Sequence, residues 1–170
     1  MGNRVYLDTV IISSIIKNDL PAIENASVDV ILDAYQERKI ELWTTERARD
    51  EMQKIPSKEH RTIHTRFYKL ILSAPVVQEV RTNSGLTTMG VGGGNTPDPL
   101  FSELLKILDE GDAKHVFQAV KNGMSMFLTN DGGILNRKDQ ILNQGLEVLR
   151  PSELATNLKL SNDTPPPSES

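Results

Sequence analysis

The sequence predicts an α/β protein, a three-layer α/β/α sandwich in which helices cover both faces of a central, mostly parallel sheet. Short apolar runs alternate with segments of helical periodicity along most of the chain. The runs that read as strands, such as MSMFLT at 124–129, are almost wholly apolar and do not alternate with polar residues. Strands of this kind are typical of parallel sheets that are buried on both faces.

The predicted elements follow one another in a regular order. The chain opens with an apolar run at 4–14 that looks like the first buried strand, and Asp8 either ends this strand or needs a positive partner within it. Further strands are predicted at 40–45, 75–80, 124–129 and 146–149. Helices are predicted from apolar spacing and from flanking Gly and Pro at 23–38, 46–55, 58–72, 100–109, 112–122, 134–143 and 151–159. The NDGG sequence at 130–133 reads as a turn.

The chain length of 170 residues fits one domain, which we expect at 1–159, followed by a disordered tail at 160–170. A glycine-rich stretch at 82–99 lacks periodicity and is predicted to be a long loop. The sequence contains no cysteine, so disulfides, thiolate metal ligands and cysteine nucleophiles are excluded. No apolar run has the length of a membrane span and no signal pattern opens the sequence, so we expect a cytoplasmic protein.

The charge balance argues against a broad nucleic-acid-binding face, because 19 Lys and Arg stand against 23 Asp and Glu. One segment, at 54–69, is nevertheless basic. Four residues in it are candidates for RNA phosphate contacts: Lys58, Arg61, Arg66 and Lys69. Two histidines of the same segment, His60 and His64, have a spacing that can bind zinc, but no third ligand is identifiable and a polar helix surface is the favoured interpretation.

Acidic residues occur where strands are predicted to end. Asp8 follows the apolar VYL, and Asp131 follows MFLTN. In open parallel sheets, ligands bind beyond the carboxyl ends of the strands. Glu51 is predicted to face inward, because it lies on the apolar stripe that Ala48 and Met52 mark on its helix. An inward-facing glutamate needs a partner.

Asp112 is predicted to open a helix whose buried face begins at Ala113. Each acid also has an ordinary structural interpretation: Asp112 as a helix cap, Asp131 as a turn residue and Glu51 as the partner of a nearby arginine. Four carboxylates gathered together would repel one another, whereas Mg²⁺ or Mn²⁺ prefers oxygen ligands of this type. The sequence therefore predicts a divalent metal site formed by Asp8, Glu51, Asp112 and Asp131.

Several short motifs resemble the PIN domain, in its VapC-like form. These are LDT at 7–9, a helix glutamate six residues after Thr45, DAKHVFQAVKNG at 112–123 and LTND at 128–131. The resemblance covers about residues 4–158. The family's four acids fall on Asp8, Glu51, Asp112 and Asp131, and the Thr of its Thr-x-Asp motif, which commonly supports the acids, falls on Thr129. Two features depart from the family pattern. Many members continue past Thr-x-Asp with another acid and an aromatic residue, whereas Gly132, Gly133 and Ile134 follow here, and compact toxins usually lack the glycine-rich insertion at 85–99.

The resemblance implies a Mg²⁺- or Mn²⁺-dependent endoribonuclease that hydrolyses RNA phosphodiester bonds. It also implies homodimers and, for a toxin, a cognate antitoxin partner. Two alternatives stay open: a PIN-fold nuclease for RNA processing or defence outside toxin-antitoxin systems, and a catalytically inactive module that binds RNA or protein. A P-loop is not favoured, because the glycine-rich loop lacks the GK[ST] sequence, and a haloacid-dehalogenase-type phosphatase would need an aspartate where Val10 stands.

Overall fold

A computed structural model describes residues 3–54, 65–81 and 98–163 of the chain. Within these ranges the protein has an all-parallel sheet of four strands and nine helices. The strands are β1 (Asn3–Leu7), β2 (Ile40–Trp43), β3 (Met126–Leu128) and β4 (Glu147–Leu149). The predicted α/β class and parallel sheet are confirmed.

The helices alternate with the strands along the chain. They are α1 (Thr9–Lys17), α2 (Ala22–Gln36), α3 (Glu46–Gln53), α4 (Thr65–Ser73), α5 (Pro99–Leu105), α6 (Glu110–Lys121), α7 (Gly132–Leu135), α8 (Lys138–Leu142) and α9 (Pro151–Asp163).

The strand order of the sheet is β2-β1-β3-β4, so β1 and β3 lie in the centre. Tyr6 lies opposite Trp43 on one side and Phe127 on the other, and Leu7 lies opposite Leu128. All the pairings are parallel. The carboxyl ends of the four strands therefore meet at one edge of the sheet.

Successive side chains of the central strands enter two separate hydrophobic cores. On β1, Val5 and Leu7 belong to one core and Tyr6 to the other, and on β3, Leu128 and Phe127 divide in the same way. The first core also contains residues of α1, α2, α3, α4 and α9, and the second contains residues of α5, α6, α7 and α8. This two-sided burial explains why the strands are continuously apolar, and it produces three layers.

The opening strand is shorter than predicted. It ends at Leu7, and the β-branched run that follows forms α1. Ile11, Ile12 and Ile15 are buried in the first core at helical spacing. Strand propensity in this stretch is overridden because a helix buries all three isoleucines on one face.

The predicted strand at 75–80 is wrong, because only Val76 forms a β-bridge, with Thr44. The backbone N–H groups beyond Val76 donate to side chains at the C-terminal end of α6, where Asn122 is the cap residue. The N–H of Gln78 donates to Asn122 Oδ1 at 3.0 Å, and the N–H of Val80 donates to Gln118 Oε1 at 2.8 Å. These amides satisfy the main chain without a neighbouring strand.

Four further boundaries differ from prediction. The glycines of the predicted NDGG turn begin α7, and the helix predicted at 134–143 is divided into α7 and α8. Helix α9 continues to Asp163, so residues 160–163 belong to it and not to a tail, while 164–170 lie outside the described residues. Of the predicted loop, 82–97 also lies outside them, and its last two residues, Asp98 and Pro99, cap and begin α5.

A buried glutamate joins α2 to the start of α9. Glu24 Oε2 accepts from the backbone N–H of Ser152 at 2.7 Å, and Oε1 accepts from the Ser152 hydroxyl, also at 2.7 Å. A carboxylate at a helix N-terminus satisfies free backbone N–H groups and complements the helix dipole. This contact fixes where α9 packs on the first layer.

In the described ranges, none of the helices combines the length and the apolarity that crossing a membrane would require.

Phe127→Ala should lower the free energy of unfolding by about 3–5 kcal/mol, because truncating a buried aromatic side chain leaves a cavity. The Phe127 ring is fully buried and stacks on Tyr6 with centroids 5.1 Å apart. Urea denaturation monitored by circular dichroism measures the loss. Leu142→Ala, at an exposed position, is the matched control and should change stability by less than about 0.5 kcal/mol. Equal effects of the two substitutions would contradict the assignment of Phe127 to the core.

Candidate functional site: an aspartate cluster at the carboxyl edge of the sheet

Asp8 and Thr129 lie side by side because they follow paired residues of β1 and β3. Leu7 and Leu128 are in register, and each next residue is the first beyond its strand. The backbone N–H of Asp8 donates to Leu128 O at 3.0 Å, and that of Thr129 donates to Leu149 O at 3.0 Å. The parallel ladder thus continues just far enough to hold both side chains at the edge.

The Thr129 hydroxyl links the two aspartates that flank it in space. It donates to Asp8 Oδ2 at 2.6 Å and accepts from the backbone N–H of Asp131 at 2.9 Å. Thr129 is 0% exposed and Asp8 is 2% exposed, so this bond is shielded from water. The supporting position predicted for Thr129 agrees with these contacts.

Asp131 caps helix α7. Its Oδ1 accepts from the backbone N–H of Gly133 at 2.8 Å, so the ordinary structural interpretation of this acid holds, as a helix cap in place of a turn. Its position beside Asp8 is fixed at the same time by the bond from its own N–H to Thr129. Capping leaves the second carboxylate oxygen available for another contact.

Asp112 does not cap its helix. The N-cap of α6 is Asp109, whose Oδ1 accepts from the backbone N–H of Asp112 at 2.8 Å. Asp112 therefore lies in the first turn, next to Ala113 at the start of the buried face. Its carboxylate is close enough to Asp131 and Asp8 for both to act on its pKa.

Asp8 and Asp112 both have a raised pKa at this edge of the sheet. Burial is the main cause that raises the pKa of Asp8, and the negative charge of Asp131 acts in the same direction, against the hydrogen bond from Thr129. Burial also raises the pKa of Asp112 to about 6, assisted by the charges of Asp131, Asp109 and Asp8. Carboxyl groups from three distant parts of the sequence therefore share one electrostatic environment.

Gly133 lies close to two of these carboxyl groups. A Cβ at this position would lie 3.3 Å from Asp131 Oδ1, a tight contact, and 3.5 Å from Asp112 Oδ2, an ordinary van der Waals contact. A side chain at Gly133 would therefore press mainly on the Asp131 carboxylate that caps α7.

Tyr6 and His115 border the cluster, and sequence reasoning missed both. The Tyr6 hydroxyl lies 3.0 Å from His115 Nδ1, and the donor in this bond depends on the histidine tautomer. Burial raises the pKa of Tyr6, with the Asp8 charge adding to the effect, and the charge of His115 acts to lower the pKa of Asp8. The sequence did offer a signal for each residue. Tyr6 lies two residues before Asp8, on the same strand, and His115 lies three residues after Asp112, on the same side of its helix.

Glu51 does not face inward as predicted. Its side chain is 49% exposed, and its Oε1 forms an ion pair with Arg47 Nε at 3.2 Å. The buried positions of α3 are Ala48 and Met52, and Glu51 falls outside that stripe. The ion-pair interpretation is therefore the correct one. Among the described residues, the groups that shift the pKa values of Asp8 and Asp112 do not include Glu51.

The basic segment is only partly described. Lys58 and Arg61, like His60 and His64, lie outside the described residues. Arg66 forms an ion pair with Asp33, and its Nη2 donates to Gln36 Oε1 at 2.8 Å, so its guanidinium is engaged by α2. Lys69 is exposed.

The residues of the cluster suit a divalent cation by their chemical type, although their side chains are not arranged around a single point in this structure. Among the described ranges, no three His, Asp or Glu side chains are arranged as a metal-binding group. The donor set itself fits, because hard cations such as Mg²⁺ prefer carboxylate oxygens, and a cation would offset the burial and the neighbouring negative charges that raise the pKa of Asp112.

No family model matches the chain, and no curated protein matches it.

Thr129→Val should lower the free energy of unfolding by about 1–3 kcal/mol, because it leaves a buried Asp8 oxygen and the Asp131 N–H without their common partner. Thr129→Ser keeps the hydroxyl and should cost less than about 1.5 kcal/mol, the price of a lost methyl group. Urea denaturation of the two variants at neutral pH makes the comparison. Equal losses would show that the methyl group, and not the hydroxyl, stabilises this edge.

Stability should fall as the pH rises from about 4 to about 6. The pKa of Asp112 is about 6 in the folded protein against an ordinary 3.8, so in this window the folded state holds a proton that the unfolded state releases. Asp112→Asn should therefore raise the melting temperature near neutral pH in EDTA and flatten its decline with pH. Differential scanning fluorimetry measures both.

The matched control for this prediction is Glu110→Gln, which removes an exposed acid on the same helix that pairs with Lys114 at 3.0 Å. It should not raise the melting temperature at neutral pH, since this acid has a favourable partner. A lower melting temperature for Asp112→Asn than for the unmodified protein in EDTA would contradict the proposed repulsion.

Proposed function

We propose that the protein is a Mg²⁺- or Mn²⁺-dependent endoribonuclease of the PIN type. The observation that carries the proposal is the convergence of Asp8, Asp112 and Asp131 at the carboxyl edge of a parallel sheet, where burial and mutual charge raise the pKa of the first two. Such an electrostatically unfavourable group is costly to the fold, and perturbed carboxylates of this kind cluster at functional sites. The motifs LDT, DAKH and LTND supply the family resemblance.

Asp8, Asp112 and Asp131 would hold the cation. When bound, the ion would lower the pKa of water and neutralise charge on the phosphodiester under attack. Thr129 orients Asp8 through a 2.6 Å bond and positions Asp131 through its backbone. Hydrolysis by water leaves a 5′-phosphate and a 3′-hydroxyl, since the RNA 2′-hydroxyl takes no part.

The exposed position of Glu51 removes it from the direct ligands of this proposal. Its carboxylate is satisfied by Arg47, and the three aspartates are sufficient to provide the negative charge that one cation requires. We also expect RNA as the substrate and a homodimer as the assembly. A cognate antitoxin remains a prediction of the family resemblance, as does a cytoplasmic location.

The unmodified protein should cleave single-stranded RNA when Mn²⁺ or Mg²⁺ is added and should be inactive in EDTA. Removing even an outer partner of a metal ligand typically costs about 10- to 100-fold, so Asp8→Asn and Asp112→Asn should each lower activity at least about 100-fold. Thr129→Val, which disturbs the orientation of Asp8, should lower it about 10- to 100-fold. Gel electrophoresis of end-labelled RNA measures the rates and identifies the product ends.

Asp139→Asn is the control, because this acid is exposed on α8 and away from the cluster. It should retain full activity, and Glu51→Gln should lose less than about tenfold, because an exposed ion pair contributes little. The absence of metal-stimulated cleavage by the unmodified protein would refute the nuclease proposal and favour the binding-module alternative.

A further inference from the structure

An open cleft of about 500 Å³ adjoins the aspartate cluster. Its walls include Val10, which follows Asp8 by two residues, and Asn130, which lies between Thr129 and Asp131. The cleft and the aspartates therefore share two backbone segments. Its volume lies within the range of clefts that hold small organic ligands.

The apolar side of the cleft is unusually exposed. Ile23 is 67% exposed and Val10 is 37% exposed, and both line the cleft together with Leu20. The described residues include two other exposed large aliphatic side chains, Leu105 and Leu142, and neither lines this cleft. Aliphatic surface concentrated at one cleft is a common feature of ligand sites, because binding removes it from water.

Three charged residues line the cleft: the cation Arg150 and the acids Asp19 and Glu24. Arg150, which follows β4, is exposed, and in the described part of the chain it forms no ion pair. Glu24 also lines the cleft, but both its oxygens accept hydrogen bonds from Ser152. The guanidinium is thus free to bind an anion, for which its planar donors are well suited.

We infer that this cleft binds one unpaired nucleotide of a single-stranded RNA, next to the phosphodiester that the aspartates approach. The base would pack on Val10 and Ile23, its phosphate would contact Arg150, and the Asn130 amide would meet the base edge. This inference rests on the proposed function and names the substrate class of the same site. RNA is favoured over a protein partner because a guanidinium, an amide and an apolar wall together match the parts of a single nucleotide.

The test measures binding separately from cleavage. Fluorescence anisotropy of a short labelled single-stranded RNA in EDTA reports affinity without hydrolysis. Loss of the apolar contact with one base or of one phosphate contact should weaken binding roughly tenfold in Ile23→Ser and in Arg150→Gln. Double-stranded RNA should be bound equally by these variants and the unmodified protein, because a paired base cannot enter the cleft.

Matched controls remove the same chemistry elsewhere on the surface. Arg137→Gln removes an exposed arginine and Leu142→Ser an exposed leucine, and neither residue lines the cleft. Both should bind single-stranded RNA within about twofold of the unmodified protein, as substitutions at exposed sites away from an interface usually do. Melting temperatures of all four variants confirm that they are folded.

The outcomes separate the two proposals. If the unmodified protein cleaves RNA but the cleft variants bind it as tightly as their controls, the cleft inference is overturned and the nuclease proposal stands. If the unmodified protein binds RNA through the cleft but cleaves none with Mn²⁺, the inference stands and the nuclease proposal fails. Retained RNA binding together with loss of a co-purifying protein in Ile23→Ser would overturn the inference in favour of a protein partner.

Discussion

The hydrogen bond from Thr129 to Asp8 is the interaction on which the site depends. It forms because β1 and β3 are parallel neighbours in a register that places Leu7 opposite Leu128, so that the next residue of each strand comes to the same edge. The same hydroxyl also holds the backbone of Asp131. Because the strand register fixes Thr129 next to Asp8, the hydroxyl of this one buried side chain holds Asp8 and Asp131 at a fixed separation.

The rest of the molecule must compensate for the charges gathered at this edge. The burial that raises the pKa of Asp8 is produced by the cores on the two faces of the sheet, whose central strands are almost completely buried. Burial and mutual repulsion of these carboxylates lower the stability of the fold at neutral pH, and proteins commonly retain such costs at functional sites. The burial of apolar side chains in the two cores offsets this loss of stability.

The layers and the main site residues could be predicted from the sequence because both depend on strong local signals. Apolar runs identify the central strands, and strand ends identify Asp8 and Asp131. The prediction that Glu51 faces inward was wrong. Glu51 lies three residues after Ala48, at the edge of the apolar stripe of α3, and its side chain turns outward to pair with Arg47. The strand predicted at 75–80 is wrong because its amides donate to the side chains of Gln118 in α6 and of Asn122 at the C-terminal end of that helix, long-range contacts that no local pattern contains.

The neighbourhood of the cluster was harder to predict than the cluster itself. Tyr6 and His115 meet only because β1 packs beneath α6, and neither residue has a motif of its own. Helix α1 was hidden by its β-branched composition, although its isoleucines recur at helical spacing. Tertiary packing, and not propensity, determined each of these features.

The pairing of Glu24 with Ser152 has a consequence for the order of assembly. The two residues are separated by most of the domain, and Glu24 emerges from the ribosome long before its partner does. Until α9 arrives, this carboxylate is hydrated and the face of α2 that α9 covers is exposed to water. Docking of α9 is therefore a late event in biosynthesis, and the nascent chain presents an apolar surface to chaperones for as long as that event is delayed.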